Sequence, residues 1–113
     1  MSTATKSRHF CSEQVSVVCS DLGGWWHTVP ANLEEIDEWS ATVLSEASIS
    51  KGKHVRILCA SNQLRGVVTA CEKDELGFFI DVKLDPDSRW SERWFTPQHF
   101  LKLTSKANLR AAS

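Results

Sequence analysis

Four cysteines, four histidines and a dense run of carboxylates are the side chains of this 113-residue sequence best suited to chemistry. The cysteines are Cys11, Cys19, Cys59 and Cys71; the histidines are His9, His27, His54 and His99. Thiolates and imidazoles hold zinc when they come in close pairs that preset the ligand geometry. No CxxC pair occurs, and the histidines are too scattered to complete a site. In a reducing compartment cysteines within apolar runs, such as Cys59 and Cys71, serve as small core residues. No Ser/His/Asp or Cys/His arrangement for nucleophilic catalysis follows from the spacing. The expectation is a protein that is not an enzyme and carries no metal or cofactor.

Binding chemistry is better represented. Glu34, Glu35, Asp37 and Glu38 place four carboxylates within five residues. Further on, RWSERWFTPQHFLKL sets Arg89 and Arg93, and Trp90 and Trp94, four residues apart, followed by Phe95 and Phe100. Two readings stand. The rings close one end of a small core and the arginines solubilise it, or the rings form an exposed patch for a protein partner, flanked by arginines. Closure is favoured, because a domain this small depends on its bulkiest side chains. Trp25 and Trp26 are adjacent, so within a strand they point to opposite faces. One is expected to be buried and the other to be available for partner contact.

Composition narrows the classes. Apolar residues make up 42% and charged residues 24%, as in one globular domain. Thirteen basic and 14 acidic residues give a net charge of −1, which supplies no field for a nucleic acid polymer. No apolar run is long enough for membrane insertion, and the opening MSTATKSRHF lacks a signal peptide's hydrophobic region. A cytoplasmic protein is expected.

The elements that must position these residues read as strands. Residues 1–13 form a polar, flexible arm and 104–113 a flexible tail, with one domain over 14–103. QVSVVCS, WWHTV ending at Pro30, ATVLSE, HVRILCA, LRGVVTACE and GFFIDVKLD are extended segments separated by polar turns. Val55, Ile57 and Cys59 share one face, as do Phe78, Ile80, Val82 and Leu84; this period of two marks half-buried strands in an antiparallel meander. ANLEEIDEW reads as a helical turn or a loop. Gly66 inside a strand predicts a bulge or bend. Thr96 as a cap and Pro97 in the first turn predict a short C-terminal helix. The fold class is therefore all-β, with six or so short antiparallel strands favouring a barrel or a sandwich and a short C-terminal helix after them.

This order of parts resembles a known family. A basic arm, an acidic stretch before a strand, a "KG" turn, "LRGVV", "GFFIDVKL" and a closing "W…WF.P.HFL" are similar to the PilZ domain over 14–103, most closely over 52–103. The resemblance implies an all-β, six-stranded antiparallel Greek-key-like barrel in a bacterial signalling protein, and cyclic di-GMP as the family's ligand. That ligand is gripped by Arg-x-x-x-Arg on the arm, for which this chain offers Lys6 and Arg8. An Asp/Asn-x-Ser-x-x-Gly motif then binds guanine, and its positions fall on Glu35, Asp37 and Ser40. Asp37 replaces a hydroxyl that can donate with an anion that only accepts. Each carboxylate near a phosphate costs about 1 kcal/mol at 4 Å in water, and about 4 at an effective dielectric of 20. Two functions follow: a regulatory module acting through a protein partner without the family's cyclic di-GMP binding, or a cyclic di-GMP receptor with a site rebuilt on Lys6, Arg8 and Glu35. Trp39, inside the acidic stretch, would fill the hollow that a nucleotide otherwise occupies.

Overall fold

Alternating apolar side chains force this chain to bury one face of every strand, and a sheet curled into a closed barrel does so without exposed edges. The computed structural model describes residues 9–20 and 23–102. Its strands are β1 (His9–Ser20), β2 (Trp26–Ile36), β3 (Ser40–Ser45), β4 (His54–Cys59), β5 (Asn62–Asp74) and β6 (Gly77–Leu84), with a two-residue β7 (Leu101–Lys102). The order β2-β3-β6-β5-β4-β1 closes through β1–β2 pairing, and every pair is antiparallel. From β1 to β6, chain neighbours form hairpins except at the β3-to-β4 crossover, so β3 pairs with β6 and β4 with β1, and β7 returns to pair with β1. This is the all-β six-stranded barrel that the sequence predicts, in a Greek-key order.

The inner face collects Val15, Val17 and Cys19 from β1, Leu33 and Ile36 from β2, and Ala41 and Val43 from β3. Opposite them lie Val55, Ile57 and Cys59, then Leu64 and Val68, then Ile80, Val82 and Leu84, all buried. At about 25 cal/mol per Å² of apolar surface, this one core is the main stabilising force.

Four local expectations are corrected. ANLEEI is neither helical turn nor loop: β2 runs through Pro30 to Ile36. Its buried Leu33 and Ile36 are three residues apart because the register shifts between Leu33 and Glu35, so a bulge hides the period of two. Of the two readings of Gly66, the bulge is the one corrected: the shift in β5 falls between Val68 and Ala70. Gly66 instead lies where β6 comes so close that a Cβ would overlap the Lys83 carbonyl oxygen.

The third correction concerns the short helical element, a 3-10 turn at Pro86–Ser88, upstream of the helix start expected at Thr96 and Pro97. The Thr96 hydroxyl donates to Glu92 O at 3.4 Å, and His99 takes a φ of 55°. The segment finds its backbone partners on β1: Ser12 N donates to Gln98 O at 3.0 Å, and Leu101–Lys102 pairs with His9 and Phe10. The fourth is that β1 starts at His9 rather than Gln14, with a register shift between Phe10 and Glu13.

Candidate functional site

The acidic β2–β3 connection is held by its own side chains. Asp37 Oδ1 accepts from Trp39 N and Ser40 N, both at 2.8 Å, and from the Ser40 hydroxyl at 3.0 Å. Asp37 Oδ2 also takes the Ser40 hydroxyl at 3.0 Å, and Asp37 N donates to Ser40 O at 2.9 Å. An aspartate that folds back on the next backbone donors is a standard way to close a tight turn. Leu84 N donates to Trp39 O at 2.8 Å and Trp90 N to Glu38 O at 3.1 Å, so the turn is stitched to the chain that follows β6.

Arg89 stacks on the Trp39 ring at 4.6 Å and pairs with Glu38 at 3.5 Å. Trp39 remains 44% exposed against Arg89. The hollow bounded by Glu35, Ile36, Asp37, Ser40, Ala41 and Thr42 measures about 20 Å³, room for about one water and far too little for a base. The structure therefore brings Glu35, Asp37 and Ser40 together. Lys6 and Arg8 lie outside the described residues.

The aromatic segment divides between the two readings. Trp90 is only 3% exposed; its Nε1–H donates to Phe95 O at 3.0 Å. Around it stand His9 at 5.6 Å, Phe100 at 5.8 Å and Phe95 at 6.5 Å, tilted or edge-on, the geometry ring quadrupoles favour. Trp90 is a plug. Trp94 touches Phe95 at 5.1 Å yet stays 43% exposed, and Arg93 is exposed beside it.

Trp25 and Trp26 do not divide into inside and outside. Both are exposed, by 76% and 60%, because they sit at the end of the β1–β2 hairpin. Trp26 pairs with Ser20 at the last position of β1 and lies under the Arg56 guanidinium, 5.5 Å from the ring centre.

That contact leads to a feature the sequence reading did not single out. Trp26, His54, Val55, Arg56, Arg65, Gly66 and Asp85 line a hollow of about 150 Å³ on the outer face of β4 and β5. The signal was available: His54 and Arg56 occupy the outward positions of an alternating strand, and Arg65 returns opposite Arg56 across a tight hairpin.

None of the four cysteines forms a disulfide; Cys11, Cys19 and Cys59 are buried and Cys71 partly so. Burial pushes the Cys11 thiol up to about 12, with Glu13, Glu34 and Glu35 adding repulsion. Burial, then Glu13 and Cys11, pushes Cys59 to about 12. Both are poor nucleophiles as folded. Thiol titration of the native protein at pH 8 should therefore modify Cys71 first and leave Cys11 and Cys59 untouched until unfolding. Their folded pKa lies above the unfolded value of 9.0, so the stabilisation is complete below pH 9 and disappears as pH rises toward 12. The urea midpoint should fall over that window; a flat profile contradicts the burial argument.

Among the described residues no group of three or more His, Cys, Asp and Glu could hold a metal ion, and no helix is long and apolar enough to cross a membrane. Compared with protein-family models, curated proteins and solved structures, the chain matches none.

Proposed function

We propose that this chain is a non-enzymatic, PilZ-like regulatory module that acts by protein–protein contact rather than by binding cyclic di-GMP. The observation that carries this reading is the state of the acidic turn. Two of the residues at the family's guanine-reading positions, Asp37 and Ser40, are spent on closing their own loop, with Asp37 accepting from three donors around Ser40. A nucleotide edge would have to displace those bonds and enter a space of about 20 Å³ beside Glu35 and Asp37. Hydrogen bonds to a charged group are worth about 1.5–3 kcal/mol each, so exchanging them for a guanine edge's contacts gains little.

The exposed tryptophans support the other half of the reading. Trp25, Trp26 and Trp94 combine large apolar surface with a polar handle, the composition that dominates binding hot spots. Titration calorimetry with cyclic di-GMP at low salt is the direct test. No saturable heat is expected. Binding in the low-micromolar range, abolished by Arg8→Ala, would establish the competing reading, a receptor rebuilt on Lys6, Arg8 and Glu35.

A further inference from the structure

We propose that the hollow beside Trp26 is the contact point of this module, built to take a carboxylate side chain carried next to an apolar one on an acidic segment of a protein partner. The inference rests on the reading that the chain works through protein contact, and it gives that contact a place and a chemistry.

Arg56 and Arg65 are direct cross-strand partners in the β4–β5 hairpin. Like charges so placed are destabilising, so the pair needs a compensating anion. Arg65 has one: its guanidinium meets Asp87 at 2.9 Å, and its backbone N–H donates to the Ser88 hydroxyl at 2.8 Å. Among the described residues no carboxylate pairs with Arg56, whose guanidinium rests on the exposed Trp26 ring. A guanidinium lying over an indole face, here 5.5 Å from the ring centre, still has N–H donors to offer a carboxylate, and the contact limits the entropy lost when that bond forms. His54 lines the same hollow.

Size and charge select the occupant. Sites for drug-sized molecules run to roughly 300–1,000 Å³. A hollow of about 150 Å³ takes one or two side chains. Asp85 also lines it and would repel a bare anion. A peptide meets both demands, because it offers a carboxylate to Arg56 and backbone N–H donors to Asp85.

The test is a two-dimensional NMR titration of the full chain with the synthetic peptide acetyl-Gly-Glu-Phe-Glu-Gly-amide. Saturable shifts are expected at the Trp26 indole N–H and the Arg56 and Arg65 side chains. They should weaken about tenfold or more when glutamines replace the peptide's glutamates, in Arg56→Gln protein of unchanged melting temperature, and in high salt. The proposal is overturned if the glutamine peptide binds equally well, if no shift saturates at these residues, or if guanosine monophosphate binds there more tightly than the glutamate peptide. Self-association that Arg56→Gln abolishes would replace the foreign partner with a second copy and overturn it as well. A failed peptide titration alongside silent cyclic di-GMP calorimetry removes this site alone; calorimetric binding removes the wider reading.

Discussion

Replacing Trp90 by alanine is expected to lower the melting temperature by roughly 12–20 °C, the largest single effect in this chain. Removing a buried indole costs about 3–5 kcal/mol, set against a total stability of about 5–15 for a domain of ordinary size. Three contacts make the site unforgiving. The ring packs with His9, Phe95 and Phe100, and its N–H is matched to Phe95 O. Its backbone N–H holds Glu38 O, so the same residue fastens the acidic turn. Trp90→Phe keeps a ring but gives up the hydrogen bond and some volume, and should cost about 1–2 kcal/mol. Hydrogen exchange separates local from global loss. In Trp90→Ala, the Ser12 and Gln98 amides, which tie the closing segment to β1, should exchange fastest. A fall of only a few degrees, with those amides still protected, would show that the barrel does not depend on its plug.

The plug also shows which parts of this molecule were legible in its sequence. Val55, Ile57 and Cys59, and Ile80, Val82 and Leu84, alternate without interruption, and the strands they predict are the strands that form. A ladder that repeats every two residues needs only local information. ANLEEI was opaque because one register shift changes the spacing of Leu33 and Ile36 from two to three, a helical interval. Leu101–Lys102 was opaque for a different reason: its pairing partners are His9 and Phe10 at the far end of the chain, and Thr96–Pro97 offers a plausible local alternative.

The site followed the same division. Asp37 three residues before Ser40 carries a local turn signal, and the structure uses both side chains to close that turn. Both members of the Trp25–Trp26 pair are exposed, since strand alternation predicts burial only where a core lies beneath, and the hairpin end has none. The cationic hollow is a product of register alone. Arg56 and Arg65 meet because the β4–β5 hairpin turns at Ala60 and Ser61, and Ala60 accepts a φ of 54° to do so.

Gly66 joins that register to the core, and its substitution is the second large effect. Gly66→Ala is expected to destabilise the protein by about 1–3 kcal/mol, the usual range for overpacking. Alanine in a strand would otherwise gain about 0.5–1 kcal/mol over glycine, so the sign depends on space. A Cβ here would overlap the Lys83 carbonyl oxygen and lie 2.7 Å from Val82 Cγ1. The carbonyl is backbone of the neighbouring strand and cannot rotate away. Adding Val82→Ala should therefore bring little relief, with a coupling energy below about 0.5 kcal/mol in a double-mutant cycle. Gly52 supplies the contrast: nothing lies within 4 Å of its Cβ position, but its φ is 93°. There alanine should cost about 1–2 kcal/mol through backbone strain. Urea midpoints for the three single variants and the double variant check both mechanisms, and a stabilised Gly66→Ala would mean that β5 and β6 are farther apart than described. Gly66 also lines the hollow between Arg65 and Trp26. Forcing β5 from β6 must shift Arg65 relative to Arg56, so the residue that lets the barrel close tightly also sets the spacing of its two outward guanidinium groups.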